Sequence, residues 1–167
     1  AFPSVDQAWM QSWVAAAGFP LGIRAFVNVL CAFVMVFDVV TAQLLYIAEA
    51  GVLQGRPLSG MLVATAINPF LNRMDKDINR RGRAAVAACA DDVGGAFKAL
   101  TDLCAMEATF GVAERVAGLR VKSLKCKIML VAQNHTFNAA RDIAEWMSVR
   151  IPRWTGMAVV PYAMFLG

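Results

Sequence analysis

Residues 84–97 read AAVAACADDVGGAF, and this stretch decides the predicted fold class. A run without charge stops at Asp91 and Asp92, and an apolar stretch then resumes up to Phe97. This pattern predicts a strand, a tight turn and a second strand, with both carboxylates at the turn. A tight-turn hairpin interleaved with helices favours an α+β domain, in which an antiparallel sheet carries helices on one face.

Local patterns on either side predict the other elements. The first two expected helices are residues 7–17 and 23–33. Ser59 would cap a third helix, whose apolar residues at three- and four-residue spacing are Ile67, Phe70, Leu71, Met74 and Ile78. The last two are residues 98–117, with an interruption near Gly111, and residues 136–149, with Asn134 or Thr136 as the cap. Pro69 would kink the third helix or mark its true boundary. Residues 33–48 predict two strands around a turn at Thr41, although their apolar runs also fit a buried helix. One further strand is expected at 126–132, and a small hairpin is expected at the end of the chain.

The composition indicates one domain with a sizeable core and no membrane span. Of the 167 residues, 59% are hydrophobic, and the formal net charge is +4, a mild basic bias compatible with a polyanionic partner. The longest uncharged stretch, residues 7–23, is broken by Gly18 and Pro20 and is shorter than the ~20 apolar residues of a spanning helix. A membrane-associated helical protein stays a separate interpretation of so apolar a chain.

The cysteines are scattered and form no CxxC pair, and His135 is the single histidine. This spacing predicts neither a zinc site nor a disulfide framework, and it favours a reducing, intracellular compartment.

Asp91 and Asp92 carry the most specific chemistry in the sequence. Adjacent carboxylates on a turn repel each other unless a cation lies between them. Mg²⁺ suits such a pair, because this hard ion binds one or two carboxylates together with water and substrate phosphates. Two-metal phosphoryl transfer needs clustered carboxylates of this kind. The alternative interpretation is a solvated turn or an acidic pair that begins a helix.

The surroundings of this pair resemble the motifs of reverse transcriptases from non-LTR retrotransposons. Ala90-Asp91-Asp92 resembles their Ala-Asp-Asp motif, and residues 54–59, QGRPLS, are similar to their Gln-Gly-x-Pro-Leu-Ser loop, which a helix carrying Ile67-Asn68-Pro69 follows. The further matches are Gly118-Leu119 with Lys125-Cys126, Phe165-Leu166-Gly167, and residues 1–5, AFPSV, which resemble the tail of the family's first motif. Because five motifs occur in the expected order, residues 1–167 are interpreted as a partial reverse transcriptase domain.

The resemblance implies an RNA-directed DNA polymerase with a palm-type sheet and partial fingers elements. Asp91 and Asp92 would hold two Mg²⁺ ions, with Mn²⁺ as a substitute, and Lys125 would protonate or neutralise the departing pyrophosphate. Phe2 would lie under the sugar of the incoming nucleotide, where a rigid ring excludes a 2′-hydroxyl. The implied loop at the template, primer and nucleotide contains Gln54, Gly55, Pro57 and Ser59.

The implied partners are an RNA template, a DNA primer, deoxynucleoside triphosphates and the rest of a larger polyprotein, in the cytoplasm and nucleus. Taken singly, the same residues have plainer interpretations: Phe2 as a core residue, residues 54–59 as a helix-capping turn, and Lys125 as a solvated lysine. The basic residues Arg73, Lys76, Arg80, Arg81 and Arg83 would contact phosphates or form a solvated helix end.

The chain departs from the family's pattern at several positions. The family's first catalytic aspartate would precede Ala1, so we expect these residues alone to be inactive. Cys89 occupies the usual Tyr or Phe position, Lys122 that of Asn, and Phe165 that of Tyr. The alternative to a polymerase is therefore a catalytically dead remnant that at most binds nucleic acid.

Overall fold

A computed structural model of the chain describes residues 5–32, 34–48, 50–51, 58–79, 82, 84–89, 92–131 and 136–163. The helices are α1 (Gln7–Ala16), α2 (Leu21–Cys31), α3 (Ser59–Asp77), α4 (Leu103–Ala117) and α5 (Phe137–Arg150). The strands are β1 (Val34–Phe37), β2 (Leu44–Ala48), β3 (Ala84–Cys89), β4 (Asp92–Phe97), β5 (Lys127–Met129) and β6 (Ala158–Val160). Short 3-10 turns cover Leu100–Asp102, Ser123–Lys125 and Pro152–Trp154. The predicted α+β class is confirmed.

The described strands form three separate pairs rather than one sheet. β1 with β2 and β3 with β4 are antiparallel hairpins, as their local patterns predict. The predicted final hairpin extends into residues 164–167, which lie outside the described residues, so it stays a prediction. β5 pairs with β6 in parallel. Parallel strands need a long crossover connection, and α5 lies in the connection between these two.

Helix α3 has the predicted apolar side but not the predicted cap. Ile67, Phe70 and Met74 are buried, and the helix continues through Pro69, which therefore does not mark its end. Leu58 occupies the N-cap position without a side-chain capping bond, so Ser59 is the first helical residue rather than the cap. A proline is tolerated here because burial of the apolar side offsets the one helical hydrogen bond that it removes.

The core lies where α1, α3 and α4 pack together. Met10 of α1, Met74 of α3 and Ala113 of α4 are completely buried. Trp9 packs against Phe70 in a tilted arrangement, with ring centroids 5.3 Å apart, and its indole N–H donates to the Ala66 carbonyl over 3.1 Å. An aromatic side chain that also satisfies its polar atom anchors α1 on α3.

The remaining boundaries follow local signals. Helix α4 is continuous through Gly111, so the predicted interruption is wrong, and it ends at Gly118 in the left-handed conformation (φ 65°). The Thr136 hydroxyl accepts the Ala139 N–H over 3.1 Å, which confirms Thr136 as the cap of α5. The strand predicted at 126–132 is shorter, at Lys127–Met129. Among the described helices, none is long and apolar enough to cross a membrane.

Candidate functional site

The β3–β4 hairpin carries Asp92, the second residue of the acidic pair, at the start of its second strand. The strands pair from Ala84 with Phe97 to Cys89 with Asp92. This register confirms the two predicted strands, and it places Asp92 in β4 rather than at the turn, where the pattern predicted both carboxylates. Ala90 and Asp91 lie outside the described residues. Asp92 is the first residue of β4, and its side chain is exposed.

Side-chain hydrogen bonds hold this hairpin against the end of α3. The Asn79 carbonyl oxygen accepts the backbone N–H of Val86 over 3.1 Å. The amide nitrogen of the same side chain donates to Asp75 over 3.1 Å. Because Asp75 belongs to α3 and Val86 to β3, the Asn79 side chain links the end of the helix to this strand. The hairpin is thus tied to the helix that follows the Gln-Gly-Arg-Pro-Leu-Ser segment.

Glycine shapes the second strand of the hairpin. An added Cβ at Gly95 would come within 2.6 Å of the Phe97 ring. The Phe97 ring therefore lies over Gly95, and a larger residue at position 95 would displace the ring. Val93 and Phe97 are half-buried against the core, which leaves the Asp92 end of the strand toward solvent.

Asp38 offers an internal comparison for a carboxylate at a hairpin turn. Its Oδ1 atom accepts the backbone N–H groups of Val40 and Thr41, each over 2.8 Å. These bonds, from Thr41 first, hold the pKa of the Asp38 carboxyl below its usual value. Asp38 is thus a turn-forming aspartate. No described residue donates a hydrogen bond to the Asp92 carboxylate.

The other predicted site residues are not assembled around Asp92 by the described part of the chain. Ser59 is buried at the start of α3. Lys125 is exposed at the end of its 3-10 turn and forms no ion pair with a described carboxylate. Its proposed action on pyrophosphate stays a prediction. The predicted residues outside the described part of the chain are Phe2, Gln54, Gly55, Pro57 and Asp91.

Metal ligation at this hairpin depends on the donor atoms that its side chains offer. Across the described residues, no group of three or more His, Cys, Asp or Glu side chains is placed to hold a metal ion. Asp92 supplies hard carboxylate oxygens of the kind that Mg²⁺ and Mn²⁺ bind. Asp91 adjoins it in sequence. The carboxylate of Asp92 is therefore a donor type that fits the implied ions.

The basic cluster is partly neutralised. Arg73 forms an ion pair with Asp77 over 3.6 Å, four residues along α3. Lys76 is exposed on the same helix. Arg80, Arg81 and Arg83 lie outside the described residues.

The sequence patterns did not predict a polar pocket of about 230 Å³ between α4 and the segment after α5. Arg153 reaches Glu107 over 3.4 Å and also pairs with Glu114. Arg120 approaches Glu114 over 3.4 Å. Arg120 and Arg153 are thus paired with Glu107 and Glu114 in an ion-pair network beside this pocket. No local sequence pattern marks such a network, because its partners come from distant segments of the chain.

A second pocket, about 350 Å³ in volume, is open and mostly apolar. It lies between the end of α1 and the first half of α3. Its lining residues are Trp13, Ala17, Phe19, Met61, Ala64, Thr65 and Asn68. Asn68 belongs to the Ile-Asn-Pro part of the sequence and is exposed to this pocket.

Comparison with known proteins finds no match, since no family model, no curated protein and no solved structure matches the chain.

Proposed function

We propose that this chain is part of an RNA-directed DNA polymerase of the non-LTR retrotransposon kind, with Asp91 and Asp92 as metal-binding carboxylates. The observation that carries the proposal is the register of β3 with β4, in which Cys89 opposes Asp92. That register supports the proposal because it puts Asp92, which directly follows Asp91 in sequence, at the first position of β4. The motif order along the chain supplies the identity of the reaction.

The exposed Asp92 carboxylate contributes what this reaction requires of the protein. Its oxygens are not engaged by described donors, so they are free to bind a divalent cation. The ions, when bound, activate the primer 3′-hydroxyl and stabilise the leaving pyrophosphate. A hairpin that Asn79 holds against α3 positions the carboxylate better than a free loop would.

Metal binding tests the proposed site directly on this chain. Titration with Mn²⁺, followed by electron paramagnetic resonance, should show binding that Asp92→Asn weakens by about tenfold. Asp38→Asn is the matched control, because it removes another exposed aspartate at a hairpin turn. We expect its Mn²⁺ affinity to equal that of the unaltered chain. Equal loss in both variants, or no loss in Asp92→Asn, would contradict the assignment.

Primer extension tests the proposed reaction. The chain should be joined to an upstream segment that carries the family's first aspartate and assayed on an RNA template with a DNA primer. Asp91→Asn should abolish synthesis while leaving template binding largely intact, because the carboxylates act on the reacting phosphate and not on duplex affinity. Retained synthesis near the unaltered rate would refute the proposal. Template binding with neither Mn²⁺ binding nor synthesis would favour a dead remnant.

A further inference from the structure

Residues 115–127 carry several positive side chains and no negative one. These side chains are Arg115, Arg120, Lys122, Lys125 and Lys127. The Arg120 guanidinium lies 3.4 Å from the Glu114 carboxylate, so its charge has a partner. The three lysines are exposed, and none of them forms an ion pair with a described carboxylate. This side of the molecule therefore presents three lysine charges that no described acidic residue neutralises.

The backbone holds the three lysines on one short segment. The Lys125 N–H donates to the Lys122 carbonyl over 2.8 Å, which closes a turn and keeps the two Cα atoms within about 7 Å. The Cys126 thiol donates to the same carbonyl over 3.5 Å. Cys126 is extended, so the Cα atom of Lys127 lies about 6–7 Å beyond that of Lys125. We call these three residues the lysine cluster.

Strand β5 continues the lysine cluster into an exposed face. Ile128 packs against the core, so the alternation of the strand puts Lys127 and Met129 on the opposite, solvent side. β6 lies beside β5, with Met129 opposite Val160. Tyr162 follows two positions after Val160 and is 80% exposed. An aromatic ring therefore lies beyond the end of the strand pair that begins at the lysine cluster.

We propose that the lysine cluster binds the phosphate backbone of a single-stranded nucleic acid. Lysine ammonium groups neutralise phosphates without reading the base sequence. An exposed aromatic ring such as that of Tyr162 stacks on unpaired bases, and single strands offer such bases. The choice of a nucleic acid over an anionic membrane rests on the proposed function. The surface itself is argued from charge and exposure.

The proposal gives Lys125 the same role as its two neighbours. Its side chain is exposed like those of Lys122 and Lys127, and all three are without a described acidic partner. Lys125 is then one of three phosphate-binding cations. This role differs from the action on pyrophosphate that the family resemblance implies, so removal of any one of the three lysines should weaken binding to the same extent.

Salt-dependent RNA binding tests the lysine cluster. Fluorescence anisotropy would follow a labelled single-stranded RNA of about 12 nucleotides, in EDTA, between about 50 and 200 mM KCl. Each of Lys122→Gln, Lys125→Gln and Lys127→Gln should reduce the slope of log K against log salt by about 0.7. At about 0.1 M salt, this change corresponds to roughly fivefold weaker binding. Circular dichroism should show an unaltered helix content and thermal midpoint.

Lys98→Gln is the matched control. Lys98 is exposed, forms no ion pair with a described carboxylate and lies outside residues 115–127. Its slope should equal that of the unaltered chain. Tyr162→Ala should weaken binding by at least about fivefold without changing the slope, because stacking releases no counterions. Tyr162→Phe should restore the affinity, since it keeps the ring.

Several results would overturn the proposal. They are the absence of RNA binding, an equal slope change in Lys98→Gln, an effect confined to Lys125→Gln, tighter binding of a duplex of the same length, and binding to vesicles that contain phosphatidylserine but not to RNA. Because the assay contains EDTA, it does not depend on the proposed metal site. Lysine-dependent RNA binding without Mn²⁺ binding would therefore support this surface and reject the metal site, and the reverse result would reject this surface alone.

Discussion

The Arg153 guanidinium forms an ion pair with the Glu114 carboxylate, across 39 positions of sequence. The guanidinium also lies 3.4 Å from the carboxylate of Glu107, a residue about two helical turns earlier on α4. The neighbouring Trp154 is buried and packs on Phe110, with ring centroids 6.1 Å apart. Charge and aromatic packing together fasten the segment after α5 to the side of α4.

Gly111→Ala should report on this contact through its coupling to Arg153. A Cβ at Gly111 would come within 2.6 Å of Arg153 Nη1, the movable end of a long side chain. The helix gains up to about 1 kcal/mol from alanine. Displacing half-exposed ion pairs costs up to about 1 kcal/mol. We therefore expect nearly no change in the free energy of unfolding when Arg153 is present.

In an Arg153→Ala background, Gly111→Ala should stabilise the chain by about 1 kcal/mol, because only the helix gain is left. Urea unfolding of the four chains of this double-mutant cycle measures the difference. An equal effect of Gly111→Ala in both backgrounds would show that a side chain at position 111 is not energetically coupled to the Arg153 guanidinium.

Met74→Ala tests the packing of α3 in the core. Met74 is completely buried, so its truncation should lower the free energy of unfolding by about 2–5 kcal/mol through lost contacts and a cavity. Met61→Ala on the same helix is the matched control, because Met61 is 50% exposed. Its cost should stay below about 1 kcal/mol. Similar losses at both positions, measured by urea unfolding, would contradict the buried position of Met74.

Asp38→Asn tests the turn of the first hairpin through its pH dependence. Backbone N–H groups of Thr41 and Val40 lower the pKa of the Asp38 carboxyl in the folded chain. A lowered folded pKa stabilises the fold above the unfolded value of about 3.9, and this contribution is lost as pH falls through the folded pKa. The unaltered chain should therefore be more stable than Asp38→Asn near neutral pH, and the difference should shrink below about pH 4. A difference that does not change with pH would argue against these hydrogen bonds.

Phe2→Ala tests the implied nucleotide selection. In a polymerase that contains this chain, removal of the ring should relax discrimination against ribonucleotides, because the excluded 2′-hydroxyl then has room. The ratio of kcat/KM for deoxyribonucleotide and ribonucleotide incorporation measures the change. An unaltered ratio would return Phe2 to the interpretation of a core residue.

Several elements followed from short-range signals in the sequence. The apolar spacing of α3, the Thr136 cap of α5 and the strand-turn-strand pattern of residues 84–97 were predicted, because each depends on neighbours within about one or two helical turns or one tight turn. The continuity of α4 through Gly111 was not predicted, because packing of the buried side of this helix overrides the weak helix propensity of one glycine.

The sequence by itself determined the α+β class, the two strands on either side of residues 90 and 91, and the order of the motifs. Only the tertiary structure decided that β6 joins β5 in parallel, that Asn79 ties β3 to α3, and that Arg153 meets Glu114. Hydrogen bonds between strands and ion pairs between distant segments depend on which surfaces pack together. Burial of the whole core determines which surfaces pack together. The local sequence around either partner therefore shows no periodic pattern that predicts the contact.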